Sequence, residues 1–188
     1  MKTKRCWIYV IAAVVSLSVF AAAIVFAQEG DRVRIQEEFR RRLSDSNGVF
    51  VYVDVITRER SQKESMTEQL QSDVERELQD SEIKILTEDE LEYALGRPRL
   101  AVYLVMYKDQ AHRDAYLYSF RVVHFEDATL ARNFRYAEGI CWNSGFYVGR
   151  DRTRSIIRLV RTQVRKYIKD YLAANPKPPE RTEEGREY

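Results

Sequence analysis

Side chains that carry acid–base or covalent chemistry are sparse in this chain. Of its two histidines, His112 falls in a polar turn, Lys108 to Asp114, and reads as solvent-exposed. His124 and Glu126 lie two apart in a predicted strand, so they share one face. With Asp127 they are the start of a metal site, but two ligands do not make a centre and no third is suggested. No metal is expected. Cys141 is the only thiol besides Cys6. Read as chemistry, it is a nucleophile or an intermolecular bridge, and Cys141, His124 and Glu126 are then the residues of an unrecognised hydrolase. Read as structure, it is a small buried hydrophobe, which the lack of a His-bearing motif nearby in sequence supports. Ser119, Ser144 and Ser155 lack the nucleophile-elbow context. No Gly-rich loop precedes a helix in the pattern needed for phosphate binding, and no cofactor is expected. Glu88, Asp89 and Glu90 are consecutive acids in the first turn of a predicted helix, where they serve as dipole partners.

A basic stripe is less bland. Arg154, Arg158, Arg161, Arg165 and Lys169 recur at helical spacing opposite the apolar side of the last predicted helix. From Arg150 to Lys169 there are 8 bases and 1 acid, whereas Glu59 to Glu92 hold 12 acids and 4 bases. Two readings follow. Acidic and basic helices lie side by side and screen each other, or the stripe binds an anionic membrane surface or an acidic partner. Burying five unpaired cations is too costly. The stripe is therefore expected to face solvent, and Arg161→Ala to change stability by no more than about 0.5 kcal/mol.

The elements that must position these residues have an ordinary composition. The chain has 188 residues, 45% hydrophobic and 12% aromatic, with 4 prolines and 7 glycines. That supports one domain with a real core and excludes a collagenous or low-complexity chain. Two cysteines exclude a disulfide-dense scaffold. Lys2, Lys4 and Arg5 lie in the first 27 residues, which hold no acid. The 31 bases less these three leave 28 against 29 acids. A nearly neutral body is a poor nucleic-acid binder, and no nucleic acid is expected as a partner.

Hydrophobic patterning predicts strand, helix, strand, short helix, three strands and long helix. Val49 to Ile56 is apolar on both faces and reads as a covered strand. Leu70, Val74 and Leu78 form a helical stripe behind Thr67, a good N-cap. Ile83 to Leu86 reads as a second strand, parallel to the first through the helix crossover. Thr87 to Glu90 has capping-box spacing, with Leu91 and Leu95 inward and Gly96 as the stop. Leu100 to Tyr107 reads as a central strand. Tyr116, Tyr118, Phe120 and Val122 alternate in the next, and Ile140, Trp142, Phe146 and Val148 in a third, with Gly145 marking a bulge or close approach. Ile157, Val160, Val164, Ile168 and Tyr171 stripe the last helix, Asp151 to Ala174. The fold class is thus α/β (α+β): a two-layer domain at 48–174 on a mixed sheet of about five strands, with a βαβ start, an antiparallel three-strand meander and a long C-terminal helix. Residues 28–47 read as a linker helix and 175–188 as a disordered tail.

Segments in this order resemble a widespread set of small secreted bacterial proteins of unknown function. They are the Val51-Tyr52-Val53 strand, Leu70-Gln71-Ser72-Asp73-Val74-Glu75 leading into Ile83-Lys84-Ile85-Leu86-Thr87-Glu88, Leu130-Ala131-Arg132-Asn133, the strand at Trp142, and Ile168 to Lys177. The likeness covers residues 48–177. The element order is also similar to the small α/β domain of bacterial envelope accessory lipoproteins and of the N-terminus of Tol-system β-propeller proteins. That resemblance implies an interaction module rather than an enzyme, and it brings no catalytic residues. The chain departs from the lipoproteins in lacking a cysteine at a lipidation point.

The N-terminus agrees with export. Lys2 to Arg5 is followed by 22 uncharged residues, Cys6 to Ala27, ending Val25-Phe26-Ala27. This is the layout of a secretory signal at 1–27. It is also long enough to span a hydrocarbon core of ~30 Å, which leaves an uncleaved anchor open. Either way residues 28–188 are expected outside the cytoplasm, periplasmic, secreted or anchored. The expected partners are another protein or a second copy, because the strands are apolar on both faces but few helices exist to cover them. An anionic membrane surface is the alternative.

Overall fold

The computed structural model describes residues 43–44, 46–112, 114–130, 132 and 135–176, with Tyr136 by its backbone alone. The signal or anchor segment and residues 28–42 of the expected linker helix lie outside the described residues, as does the tail from 177 on. Among the described residues no helix is long and apolar enough to cross a membrane.

The architecture is a two-layer α/β domain. The elements run β1 (Phe50–Ile56), α1 (Arg60–Asp80), α2 (Glu88–Tyr93), β2 (Arg99–Lys108), β3 (Tyr116–Thr129), β4 (Tyr136–Asn143), β5 (Tyr147–Asp151) and α3 (Thr153–Ala174). β1 pairs parallel with β2, from Phe50↔Arg99 to Ile56↔Val105. β2 pairs antiparallel with β3. Both β4 and β5 pair with β3, end to end along its outer edge. The five-stranded mixed sheet is therefore four strand widths across.

Helices α1 and α3 lie on the same face of the sheet and against each other. The core fills the space between. Val51, Val53, Val55, Leu100, Val102, Leu104, Phe120 and Val122 point up from the sheet, and Leu70, Val74, Leu78, Val160 and Val164 point down from the helices. The stripe predicted for α3 is buried throughout, and the turns between its members add Ile156 and Tyr167. Fully burying side chains of this size stabilises by about 1.5–3 kcal/mol each.

Several expectations are corrected. Ile83–Leu86 is not a strand. It makes one isolated parallel bridge, Val49↔Ile85, before Thr87 opens the next helix, so β1 finds its parallel partner in β2. Helix α1 begins at Arg60 rather than behind Thr67. Met66 extends the buried stripe one turn earlier, and Thr67 returns its hydroxyl to the Lys63 carbonyl at 2.8 Å. The Thr87 capping box is present, but α2 stops at Tyr93, and Leu95 beyond it is almost wholly exposed. Gly96 does sit in the left-handed region, at φ 73°.

The expected last meander strand is broken into β4 and β5 at residues 144–146. Gly145 takes φ 86° in the break. Ser144 spans it: its N–H donates to Val122 O at 2.9 Å, and its hydroxyl accepts from Val122 N–H at 3.0 Å. The side chain thus stands in for a missing ladder acceptor. At the chain ends, Leu43 is fully buried and Asn175 donates to Leu43 O at 2.7 Å. The packed body therefore reaches from Leu43 to Asn175, past both boundaries expected for it.

Candidate functional site

Helix α3 carries the predicted basic stripe, and the structure divides it. Arg161 donates to Glu77 Oε1 through Nε at 3.0 Å and Nη2 at 2.6 Å. Arg165 donates to both Glu77 oxygens at 2.8 Å. Glu77 projects from α1 into the seam between the helices, its side chain 12% exposed. The hydrogen bonds from Arg165 lead in lowering its pKa to about 2, with Arg161 adding to them against a partial desolvation. This is the screened arrangement of acidic and basic helices, built on one carboxylate. Arg154, Arg158 and Lys169 remain exposed, with no ion pair among the described residues.

The residues considered for a hydrolase are brought partly together. His124 is fully buried on β3. Its Nδ1 lies 2.9 Å from Tyr167 Oη of α3, and its Nε2 lies 3.0 Å from Glu126 Oε1. Burial pushes the Tyr167 phenol well up, so it keeps its proton. Every nitrogen of the His124 ring is occupied inside the core. Cross-strand from His124 sits Trp142, whose ring meets Tyr167 edge-on at 5.3 Å and whose indole N–H reaches Asp170 at 3.0 Å. The register slips by one residue here, leaving half-buried Cys141 as the extra residue of a bulge. The cluster stitches β3 and β4 to α3.

No described cleft collects these groups. The grooves are shallow. One of about 630 Å³ lies at the ends of β1 and β2, lined by Arg58, Gln62, Tyr107 and Leu117 among others. Two more flank α2, of about 400 and 490 Å³. His124, Cys141 and Tyr167 line none of them. His112 is exposed on its turn, as expected, 3.0 Å from Asp109. The described residues hold no cluster of three metal-ligating side chains.

The feature of the molecule that stands out is the other face of the sheet. Its rows run Phe50–Arg99–Phe125–Ile140, then Tyr52–Ala101–Val123–Asn143, then Asp54–Tyr103–Arg121, then Ile56–Val105–Ser119–Val148. Among the described residues no helix packs on it. Tyr52, Ile56, Tyr107, Leu117 and Ile140 are 41–52% exposed, and Val148 is 73% exposed. Tyr52, Tyr103 and Phe125 form an edge-to-face series across β1, β2 and β3, at 6.2 and 6.5 Å. The Arg121 guanidinium stands 5.0 Å over the Tyr103 ring. Partial burial raises the Tyr103 pKa, against the opposing effect of the Arg121 charge. Arg99 bonds Asp127 at 2.7 Å and Glu138 at 2.9 Å at one end of the face. The sequence marked the strands as apolar on both sides; it did not mark which side the helices leave bare.

No protein-family model and no curated protein matches this chain.

Proposed function

We propose that this chain is an exported module of the bacterial envelope that docks a protein on its uncovered sheet face and does no chemistry of its own. One observation carries the reading: a five-stranded sheet with helices on one side and, on the other, a bare face of aromatic and aliphatic residues interrupted by the charges of Asp54, Arg99 and Arg121. An open antiparallel face normally alternates to polar residues, and a contiguous bare patch marks an interaction site. The buried His124 network is filled by its own partners, so it supports packing rather than turnover. The resemblance to envelope interaction domains points the same way, as does the signal-like N-terminus.

A photoreactive benzoylphenylalanine at position Tyr52 tests this in intact cells. It should yield a covalent protein adduct, while the same group at position Arg158, on the helix side, should yield none. Absence of any adduct at Tyr52 would sink the reading.

A second reading, attachment to an anionic membrane surface, is favoured by exposed Arg154, Arg158 and Lys169. It is left with three cations, since Glu77 claims Arg161 and Arg165. At about 1 kcal/mol per basic residue near an anionic surface, binding to phosphatidylglycerol vesicles should be weak and lost at high salt. Binding unchanged by Arg158→Ser would count against it.

A further inference from the structure

We infer that the occupant of the uncovered sheet face is a second copy of this chain, packed face to face about a two-fold axis that runs along β2. The inference rests on the docking reading above and adds the identity of the partner. Its basis is the placement of charge. Asp54, Tyr103 and Arg121 share one row across β1, β2 and β3. Among the described residues neither Asp54 nor Arg121 has an ion-pair partner. A two-fold axis parallel to the strands and centred over β2 exchanges the lanes of β1 and β3 and keeps the height along the strand. It therefore sets Asp54 of one copy over Arg121 of the other, twice, with Tyr103 meeting its own counterpart on the axis. An interface of this type is self-complementary by necessity.

The neighbouring rows obey the same operation. Tyr52, the bulky member of its row, faces Val123, which is fully buried beneath its neighbours. Ala101 lies on the axis, where a small side chain lets the sheets approach. Arg99 also lies near the axis, and its charge is already met by Asp127 and Glu138, so like does not meet unscreened like. Two sheets packed with their strands nearly aligned are an ordinary sandwich arrangement.

The face measures roughly 20 by 25 Å from strand spacing and rise, or about 500 Å² per copy. Two copies then bury about 1,000 Å², at the threshold for a specific interface. An interface of that size fits a dimer that forms with concentration rather than an obligate one.

The test is sedimentation equilibrium of the full chain in a mild detergent, with Asp54→Arg, Arg121→Asp and the two combined. The wild type should dimerise with concentration. Each single reversal should weaken the dimer at least ~10-fold, and the combination should restore it to within ~3-fold, since the swap remakes both pairs. A monomer at every concentration overturns the inference, and so does a dimer indifferent to both reversals, which would mean association through another surface. Should the reversals misfold, a benzoylphenylalanine at position Tyr103, on the axis, decides: an adduct of twice the chain mass supports the second copy. An adduct with a different protein overturns the second copy and leaves face docking standing, whereas no adduct at Tyr52 or Tyr103 removes both.

Discussion

Trp142 donates its indole N–H to the Asp170 carboxylate at 3.0 Å, with both side chains buried, and so ties β4 to the C-terminal half of α3. Trp142→Phe keeps an aromatic ring and deletes the donor. Hydrogen bonds to charged groups contribute about 1.5–3 kcal/mol, and the lost ring volume adds to that. Urea unfolding followed by far-UV circular dichroism should show a loss of about 2–4 kcal/mol. A loss under about 0.5 kcal/mol, the range of ordinary surface changes, would show that the tie contributes nothing.

Glu77 makes stability depend on acid. Its carboxyl pKa falls from 4.5 to about 2 in the folded chain. The contribution is therefore fully present above pH 4.5 and is lost as pH falls through about 2. Both arginines reach water, so solvent screening cuts the effect to about 1–2 kcal/mol. Glu77→Gln should lower stability by that amount at pH 7 and leave it nearly unchanged at pH 2. A variant equally destabilised at both pH values would place the effect in packing instead.

Val164 is fully buried in α3, whereas Arg161 rests over the seam with Glu77. Val164→Ala should cost about 1–3 kcal/mol through lost transfer and cavity terms. Arg161→Ala should cost about 0.5–1.5 kcal/mol, because it leaves Glu77 with Arg165 alone. That exceeds the near-neutral effect expected from sequence. Paired guanidinium denaturation curves settle the ranking, and the reverse order would mean that the ion pair outweighs the core here.

Gly48 adopts φ 133°, and a Cβ placed there would lie 2.7 Å from the Lys84 carbonyl oxygen. The carbonyl belongs to the backbone that accepts from Val49 N–H at 2.9 Å, so it cannot move without breaking the bridge. Gly48→Ala should destabilise by on the order of 2–4 kcal/mol, from backbone strain and the clash together. A fall in thermal midpoint no larger than that of Ser46→Ala would contradict this.

How far the fold could be read from sequence depended on whether a pattern had one physical solution. The stripe of Ile157, Val160, Val164, Ile168 and Tyr171 had only one, a helix buried on that side. Thr87 with Glu90 likewise had one, a capped helix start. Ile83 to Leu86 had two, since three apolar residues around Lys84 suit either a strand or a single bridge with buried ends. Thr67 misled because a good N-cap residue also bonds back to the preceding turn within a helix. Leu95 misled because helical spacing was continued past Tyr93, where α2 had already ended.

The candidate site was legible only in part. The basic stripe showed as spacing, but that Glu77 takes Arg161 and Arg165 depends on α1 lying beside α3. His124 and Glu126 were placed on one face correctly, while Tyr167, 43 residues away, carried no signal of its own. The bare sheet face was implied by strands apolar on both sides. Which residues form it followed only from register, because a shift of one residue exchanges the two faces.

The parallel joint between β1 and β2 has a consequence for the order of assembly. β2, β3, β4 and β5 follow one another through the short connections at 109–115, 130–135 and 144–146, whereas β1 waits for its partner across residues 57–98. Closing the longer loop costs more chain entropy before any contact rewards it. The antiparallel part with α3 should therefore form the folding nucleus, and β1 with α1 should dock last. Val122→Ala should then slow refolding, and Val53→Ala should chiefly speed unfolding. On the ribosome, which releases the N-terminal side first, β1 emerges well before any strand that can hold it. Though made first, this seven-residue segment has no partner strand until β2 is in place.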